Sequence, residues 1–516
     1  MRYCALLTIV VAVFLTGCSD DDNPPFYPEV TVKDGSVDGV GPKLDQGHPW
    51  DGFDPKCPMP GPCVLEKKGE GKHAADFVVI GEILTLSGKE LDKVTAVYIG
   101  AAKAPLVDVS ATKVTCRVGP RTPPGQQTIE LEAATLRRMA GIVDVRRFLA
   151  VVSTDGTKLQ TFHVASHSAG PVIDMGEKVT APAIGSTGRF LAATAGSKLV
   201  VVDLALEQAA TVSPSEPAAW WAIDDAARTL VVATQSGKLE SVELSGFPTL
   251  SAKAVSGAAA TAAVFLAEPG LFAGLTASAG SGQGSLWYAK TDLKSFSFAQ
   301  KAGNPFVVGA GQGLKAMSAD TRDGRIALVV GEGATTHLVT AKAASGALSD
   351  PASLTVTDGV AAGVAAGGGF VALSADATTP RLSFLDASAP TALKNVALGS
   401  GSASRVLGGA LPTLKDGAFA LVGPKPTASF TASRVELVDL ATSKRHTLTG
   451  DKPAVELSDI RAGVADPVSD RVHVITGTHF YTYNFTIDTK GLTVKEQDPH
   501  QQLLAGTTPA WVAVQP

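Results

Sequence analysis

The chain has 516 residues, long enough for several domains. Lys and Arg number 44 against 49 Asp and Glu, a net charge of −5 with no basic block, which excludes nucleic acid as a partner. Gly, Ala, Ser, Thr and Val abound while charged residues are few, a composition suited to many short strands and turns rather than long helices.

At the N-terminus, Arg2 precedes an apolar run from Ala5 to Leu15. That run is shorter than the roughly 20 apolar residues of a membrane-spanning helix and has the form of a secretory signal peptide. It ends in Leu15-Thr16-Gly17-Cys18, which resembles a bacterial lipobox, where a small residue precedes the cysteine that receives a diacylglycerol. The resemblance implies lipidation of Cys18 and a chain held on a membrane by acyl chains, each buried methylene contributing about 0.8 kcal/mol. Ser19 directly after the cysteine implies passage to the outer membrane of a bacterial cell envelope.

Residues 19–73 carry nine prolines and little apolar patterning, which reads as a largely disordered stalk. A flexible coil of that length spans on the order of 40 Å. Within it, "DGSVDGVGPKLD" spaces oxygens from Asp34 to Asp45 like a calcium loop, but no helices flank it and Gly41 stands where an apolar residue normally packs. A solvated acidic linker is the reading, and no metal is assigned. In "CPMPGPC", Cys57 and Cys63 lie close in a proline-stiffened loop, and an oxidising envelope permits their disulfide. The C-x5-C spacing fits no usual zinc pattern.

Residues 74–134 alternate as short strands between turns, in "DFVVIGEILTLSGKEL", "VTAVYIGAAKAPLVDV", "TKVTCRVGP" and "QQTIELEA". Val114, Cys116 and Val118 share one strand face, so Cys116 is expected as a buried free thiol. Gly81, "LTLSGKEL" (84–91), "VTAVYIG" (94–100), "SATKVTCRVGP" (110–120) and "PPGQQTIEL" (123–131), in this order and spacing, resemble the IPT/TIG immunoglobulin-like family. The resemblance implies a β-sandwich that serves as a spacer or binding module, without catalytic residues. Residues 135–145 read as a short linker containing one helical turn.

From residue 146 the chain repeats itself. "STGRFLAATAGSKLVVVDL" (186–204), "EPAAWWAIDDAARTLVVATQSGKLESVEL" (216–244), "TRDGRIALVVGEGATTHLVTA" (321–341) and "DPVSDRVHVITGTHFYTYNF" (466–485) share an inner strand, a polar turn and an apolar hairpin. Third strands close on Asp203-Leu204, Asp386-Ala387 and Asp439-Leu440. The pattern resembles a bacterial β-propeller of the YVTN/quinoprotein-like kind. The fold class is therefore all-β, a small sandwich followed by a propeller. Strand pairs near residues 148, 190, 230, 270, 326, 370, 418 and 472 give eight blades, with seven as the alternative. "TTPAWVAVQP" is a lone inner strand, expected to pair beside Phe148 and close the ring, which removes two open sheet edges.

Trp220 and Trp221 point to opposite strand faces, and both read as packing against neighbouring blades. Asp224, Asp320 and Asp466 follow inner strands at equivalent positions; turn aspartates bonding backbone N–H groups are expected, rather than a cation-binding ring. His163 and His167 straddle a strand end and are assigned no metal. No Gly-x-Ser-x-Gly elbow, His-Glu-x-x-His, phosphate loop or Cys-x-x-Cys is present, so no catalytic residue or cofactor is assigned.

Ligands of propellers often sit on the face that carries the second-to-third-strand connections. Two of these are long, "LTASAGSGQGS" (275–285) and "GPKPTASFTAS" (423–433), and place Ser278, Gln283, Lys425 and Phe430 as candidate binding residues. The functional expectation is a monomeric, lipid-anchored, non-enzymatic scaffold for an envelope protein or polysaccharide. The alternative is a hydrolase or lyase of extracellular glycans, which needs two channel carboxylates about 5–10 Å apart. A quinone- or metal-dependent propeller is disfavoured by the scarcity of His and Arg candidates for the channel.

Overall fold

A computed structural model describes residues 61–72 and 77–266, apart from 135, 154, 167 and 261. Beyond 266 it describes the strands and some of their connections, up to Gln515. Cys18, Cys57, Ser278, Gln283, Lys425 and Phe430 lie outside the described residues.

Two sheets face each other at the start of this region. One runs in the order Cys63–Gly69, Ile83–Lys89, Lys113–Arg117, Leu106–Val109; the other runs Val78–Val79, Leu136–Arg146, Gly125–Ala133, Ala96–Ile99, Ala102–Ala104. Alternation drives their packing: Leu84 and Leu86 point inward from Ile83–Lys89, and Ile129 and Leu131 from Gly125–Ala133. Val97, Ile99, Val114 and Val118 fill the space between. Cys116 belongs to the same core, fully buried and free, and burial pushes its thiol up to about 12.

Two expectations from the sequence need correction. The stalk does not extend to residue 73, because Cys63–Gly69 is an edge strand paired antiparallel with Ile83–Lys89. Its middle residues are exposed and charged, which hides it from a hydrophobic pattern and protects the sheet edge from stray pairing. The expected linker at 135–145 is a strand, not a helical turn: Leu136–Arg146 pairs along Gly125–Ala133 and brings Val143 and Val145 into the core. A register shift between Ile129 and Glu130, opposite Met139 to Gly141, breaks its alternation.

Among the described residues, eight further sheets follow, each of four or five strands. Their second strands begin at Phe148, Phe190, Thr229, Leu271, Arg325, Phe370, Phe419 and Arg471. Second strands such as Phe148–Ser153 and third strands such as Lys198–Asp203 are buried almost throughout. Such continuous runs follow from neighbouring sheets covering both faces. Fourth strands such as Ala169–Asp174 and Leu393–Ala397 are largely exposed and lie at the rim.

The innermost strands touch in a closed circuit. Pro509–Val514 lies against Thr180–Ile184, and Phe190–Ala195 of that second sheet meets Ala218–Asp224. The circuit continues through Ala262–Leu266, Gly313–Asp320, Gly359–Val364, Arg405–Gly408 and Ile460–Ala465, which returns to Pro509–Val514. This is a β-propeller. Its first sheet takes its inner strand from the far end of the chain: Leu149 pairs with Val514, Val151 with Val512 and Val152 with Trp511.

Candidate functional site

Three regions of the ring carry polar or aromatic side chains in defined geometry. The first is the seam where the sandwich meets the ring. Glu70, just past the edge strand Cys63–Gly69, accepts from Arg189 Nη1 at 2.5 Å and from Arg228 Nη2 at 3.0 and 3.1 Å. Burial alone would raise the Glu70 carboxyl, but the two guanidinium groups outweigh it and hold it below its ordinary value. Arg189, itself buried, also donates from Nε and Nη2 to Asp203 Oδ2 at 3.1 and 3.0 Å. Lys72 N donates to the Ala205 carbonyl, and Arg117 Nη2 to that of Ala226. Phe77 and Val79 of the sandwich form one apolar cluster with Phe148 and Ala205 of the ring.

Backbone freedom at Gly81 permits this approach. Its φ of +85° lies in the left-handed region, and a Cβ there would sit 2.7 Å from Arg189 N and 2.8 Å from the Thr187 carbonyl. Glu82 beside it caps the turn by accepting from Val79 N at 2.8 Å and Gly71 N at 2.5 Å. Its burial raises the carboxyl despite those bonds. Below the seam, Asp225 is fully buried. Its Oδ2 accepts from Thr187 N, Thr187 Oγ1 and Arg189 N at 3.2, 2.9 and 3.1 Å. Its Oδ1 has no hydrogen-bond partner among the described residues, and burial pushes the carboxyl up to about 7.

The seam fixes which face of the ring is covered. Thr187 to Arg189 and Ala226 to Arg228 connect first to second strands, while Ala205 to Glu207 connects a third strand to a fourth. Strands alternate in direction, so these connections share one end of the ring. Described second-to-third connections such as Ser236-Gly237 lie at the opposite end; the expected binding loops 275–285 and 423–433 fall almost wholly outside the described residues.

That opposite end carries the second region. A groove of about 580 Å³ runs between the Ser213 to Pro217 connection and the Ser236-Gly237 turn, lined by Ser213, Ser215, Lys238 and Glu240 among others. Glu240 is buried and accepts from Ser215 N at 3.0 and 3.1 Å and from the Ser215 hydroxyl. Lys238 pairs with Glu216 at the rim.

The third region is the channel wall. Trp220 packs toward the cluster of Phe265, Phe272 and Trp287, whereas Trp221 packs toward that of Phe190 and Ile223. The two indoles thus straddle their strand and bury against different neighbours, as the alternation predicts. Both remain half-buried.

The aspartates do not form a ring of ligands. Asp224 Oδ1 accepts from Ala227 N at 3.0 Å, the turn geometry expected of it. Asp466 is an ion-pair partner: Arg147 donates Nη1 to Oδ2 at 2.7 Å and Nη2 to Oδ1 at 2.5 Å, both side chains buried. Burial alone would raise the Asp466 carboxyl; the contacts with His473 and Arg147 hold it far below its ordinary value. His473 is itself pushed down by burial, against the pull of Asp466. Asp320 ends the inner strand Gly313–Asp320, paired with Arg325 in register. His163 ends its strand edge-on to Phe148, away from any such cluster. His167 lies outside the described residues. Among the described residues no group of His, Cys, Asp and Glu could hold a metal ion.

Sequence reasoning missed the seam: Glu70 fell inside the expected stalk, and Arg189 and Asp225 fell inside turns. The one available signal was the Asp that closes third strands, since Asp203 is what positions Arg189.

Residues 77–139 match the IPT/TIG domain family. No curated relative matches the chain. Among solved structures, the chain is similar to apo AztD from Citrobacter koseri, at 10% identity over 72% of this chain and 98% of that one, with a TM-score of 0.47. It is similar to the dihydro-heme d1 dehydrogenase NirN at 12% identity over 71% and 74%, TM-score 0.46. The Dos1 propeller matches at 12% identity over 63% and 86%, TM-score 0.44.

Proposed function

We propose that this chain is a lipid-anchored protein of the bacterial envelope, sited at the outer membrane, whose joined sandwich and eight-bladed propeller form a non-enzymatic binding scaffold. The coarse part of this reading, an interaction scaffold, fits the architecture of an IPT/TIG domain fused to a propeller. The lipobox at Leu15-Thr16-Gly17-Cys18 supports the anchor, and the proline-rich segment after it supports a tether. A Cys57–Cys63 disulfide belongs to the same reading: Cys116 is the free cysteine among the described residues, and Cys63 is not.

One observation carries the choice of binding face. The sandwich covers the end of the ring that bears Thr187 to Arg189 and Ala226 to Arg228, which leaves the end with the Ser213–Lys238 groove uncovered by it; the chain order of the strands assigns 275–285 and 423–433 to that same end in this reading. An envelope protein or polysaccharide is captured there by hydroxyl and amide groups on a rigid frame.

A photo-crosslinking residue at Ser278 or Phe430, in intact envelopes, is expected to give a discrete adduct that the same residue at exposed Lys103 on the sandwich does not. Equal labelling at all three positions refutes the face assignment. Metabolic labelling with an alkyne palmitate tests the anchor: Cys18→Ala is expected to lose the label and release the protein from membranes. A labelled, membrane-bound Cys18→Ala refutes it.

A further inference from the structure

The groove at the uncovered end of the ring holds a carboxylate without a counter-ion. Glu240, in the strand Lys238–Glu243, is 4% exposed and lines that groove of about 580 Å³. Its hydrogen bonds among the described residues all come from Ser215, whose backbone N–H donates to both oxygens at 3.0 and 3.1 Å and whose hydroxyl donates to Oε1. No cation among the described residues pairs with it. Lys238 shares its face of the strand but is bonded to Glu216 at the rim. Lys253 stands opposite Ser241 in register, on the other face. The charges facing the groove are therefore two carboxylates and one ammonium, a net negative site.

A buried charge is costly unless paired, and the bonds from Ser215 offset that cost only in part. They occupy both lone pairs of Oε1 and one of Oε2, so Oε2 can accept once more. The rest of the wall narrows what could donate. Ser213 and Ser236 offer hydroxyl oxygens, while Ala252 and Ala254 present methyl groups. Ala254 lies directly opposite Glu240 in register, so apolar surface adjoins the carboxylate. An alkyl stem with an ammonium tip matches this surface, the stem along the methyls and the tip at the carboxylate. One free acceptor position suits the point charge of an ammonium better than the two-pronged fork of a guanidinium.

We propose that this groove captures a lysine side chain of a partner protein, its ε-ammonium bonded to Glu240 Oε2 and its methylenes along Ala252 and Ala254. An amino sugar carries its nitrogen directly on the ring and has no stem to reach a buried carboxylate. The groove volume is that of a small-ligand pocket and admits the residues flanking the lysine as well. The inference rests on the reading that this end of the ring is the binding face, and it narrows the partner to a protein with an exposed lysine.

The probes are the peptide acetyl-Ala-Lys-Ala-amide, the same peptide acetylated at the lysine Nε, and glucosamine. Saturation-transfer NMR with the purified full chain reads the affinity of each. The lysine peptide is expected to bind saturably, and its acetylated form roughly tenfold more weakly, the difference made by a hydrogen bond to a charged group. Glu240→Gln keeps the shape but not the charge and should remove that preference. Glucosamine should not displace the peptide. No saturable binding, equal affinity for the two peptides, or a preference that survives Glu240→Gln would each overturn the proposal. Displacement by equimolar glucosamine would overturn it in favour of an amine-bearing polysaccharide. The peptide comparison needs no variant, so a poorly folding substitution leaves it decidable. It also needs no envelope, so it can fail while the crosslinks at Ser278 and Phe430 succeed, and the reverse.

Discussion

Arg147 is the point at which the ring is most open to a decisive perturbation. Its guanidinium makes the two bonds to Asp466, and its Nε and Nη2 donate to the Gln515 carbonyl at 2.8 and 2.5 Å. The side chain is 1% exposed and that of Asp466 0%, so water screens neither charge. Arg147→Met keeps most of the buried volume but strands the Asp466 carboxylate. Breaking one side of a buried pair costs about 3–5 kcal/mol, most of it the penalty of the orphaned charge. Arg147 directly precedes Phe148–Ser153, and Gln515 directly follows Pro509–Val514, so the loss falls on the strand pair that closes the ring. At about 1.4 kcal/mol per decade, amide exchange in those two strands should accelerate by roughly two to three and a half decades. Hydrogen exchange read by mass spectrometry measures this peptide by peptide, against fourth-sheet strands such as Leu271–Thr276 as internal standard. The double variant Arg147→Met/Asp466→Leu removes both charges and should recover much of the protection. The single variant should also be milder at pH 5 than at pH 8, because a carboxyl without its cation regains a raised pKa and protonates. Acceleration below tenfold in both closing strands, or a double variant worse than the single, refutes the assignment of ring closure to this pair.

Three further outcomes follow from the seam and the core. Asp225 binds its proton more tightly folded, at about 7, than unfolded, so its contribution is complete below about pH 4 and lost as pH rises through 7. Glu82 and Asp224 are raised in the same sense, whereas Glu70 and Asp466 are lowered and matter only on acidification. The protein should therefore be less stable at pH 8 than at pH 5, with Asp225 contributing on the order of 3 kcal/mol of the difference, and Asp225→Asn should flatten that slope; an unchanged slope refutes it. Gly81→Ala should loosen the seam, since the new Cβ meets Thr187 and Arg189, and calorimetry should then resolve the sandwich as a separate transition; a single unshifted transition argues against close docking at this turn. Cys116 should resist maleimide in the native protein and react once it is unfolded without reductant, whereas labelling at Cys57 or Cys63 under those conditions would disprove their disulfide.

What the sequence disclosed, and what it withheld, follows from range. The hairpins of the ring are legible because "FLAATA" and "KLVVVD" are mostly apolar without alternation, and each is a local property of one sheet. The two tryptophans are legible for the same reason, since adjacent strand positions alternate. Leu136–Arg146 was not legible. Leu136, Met139 and Ile142 point outward, and the register shift changes the phase midway, so neither a strand nor a helix period survives along it. The Arg147–Asp466 pair spans 319 residues, and Arg189 meets Glu70 across 119. A turn aspartate and an ion-pair aspartate look identical in sequence when the partner lies that far away.

The closing strand and the docked sandwich are held by one side chain, which makes their stabilities inseparable. Gln515 is fully buried. Its Oε1 accepts from Phe148 N at 2.6 Å, inside the closing sheet. Its Nε2 donates to the Gly188 carbonyl at 2.6 Å and to the Ile80 carbonyl at 3.5 Å, one in the second sheet and one in the sandwich. Withdrawal of the C-terminal strand therefore removes the donor that the sandwich turn and the second sheet share. It also exposes Phe148, which packs with Phe77 and Val79. Conversely, a sandwich levered away leaves the buried Gln515 amide short of an acceptor, which biases the closing strand toward release. A body coupled in this way transmits the position of its N-terminal module to the whole ring, so the uncovered face keeps one orientation relative to the sandwich. In the proposed scaffold, this seam is what would hold the candidate binding face in register with the sandwich.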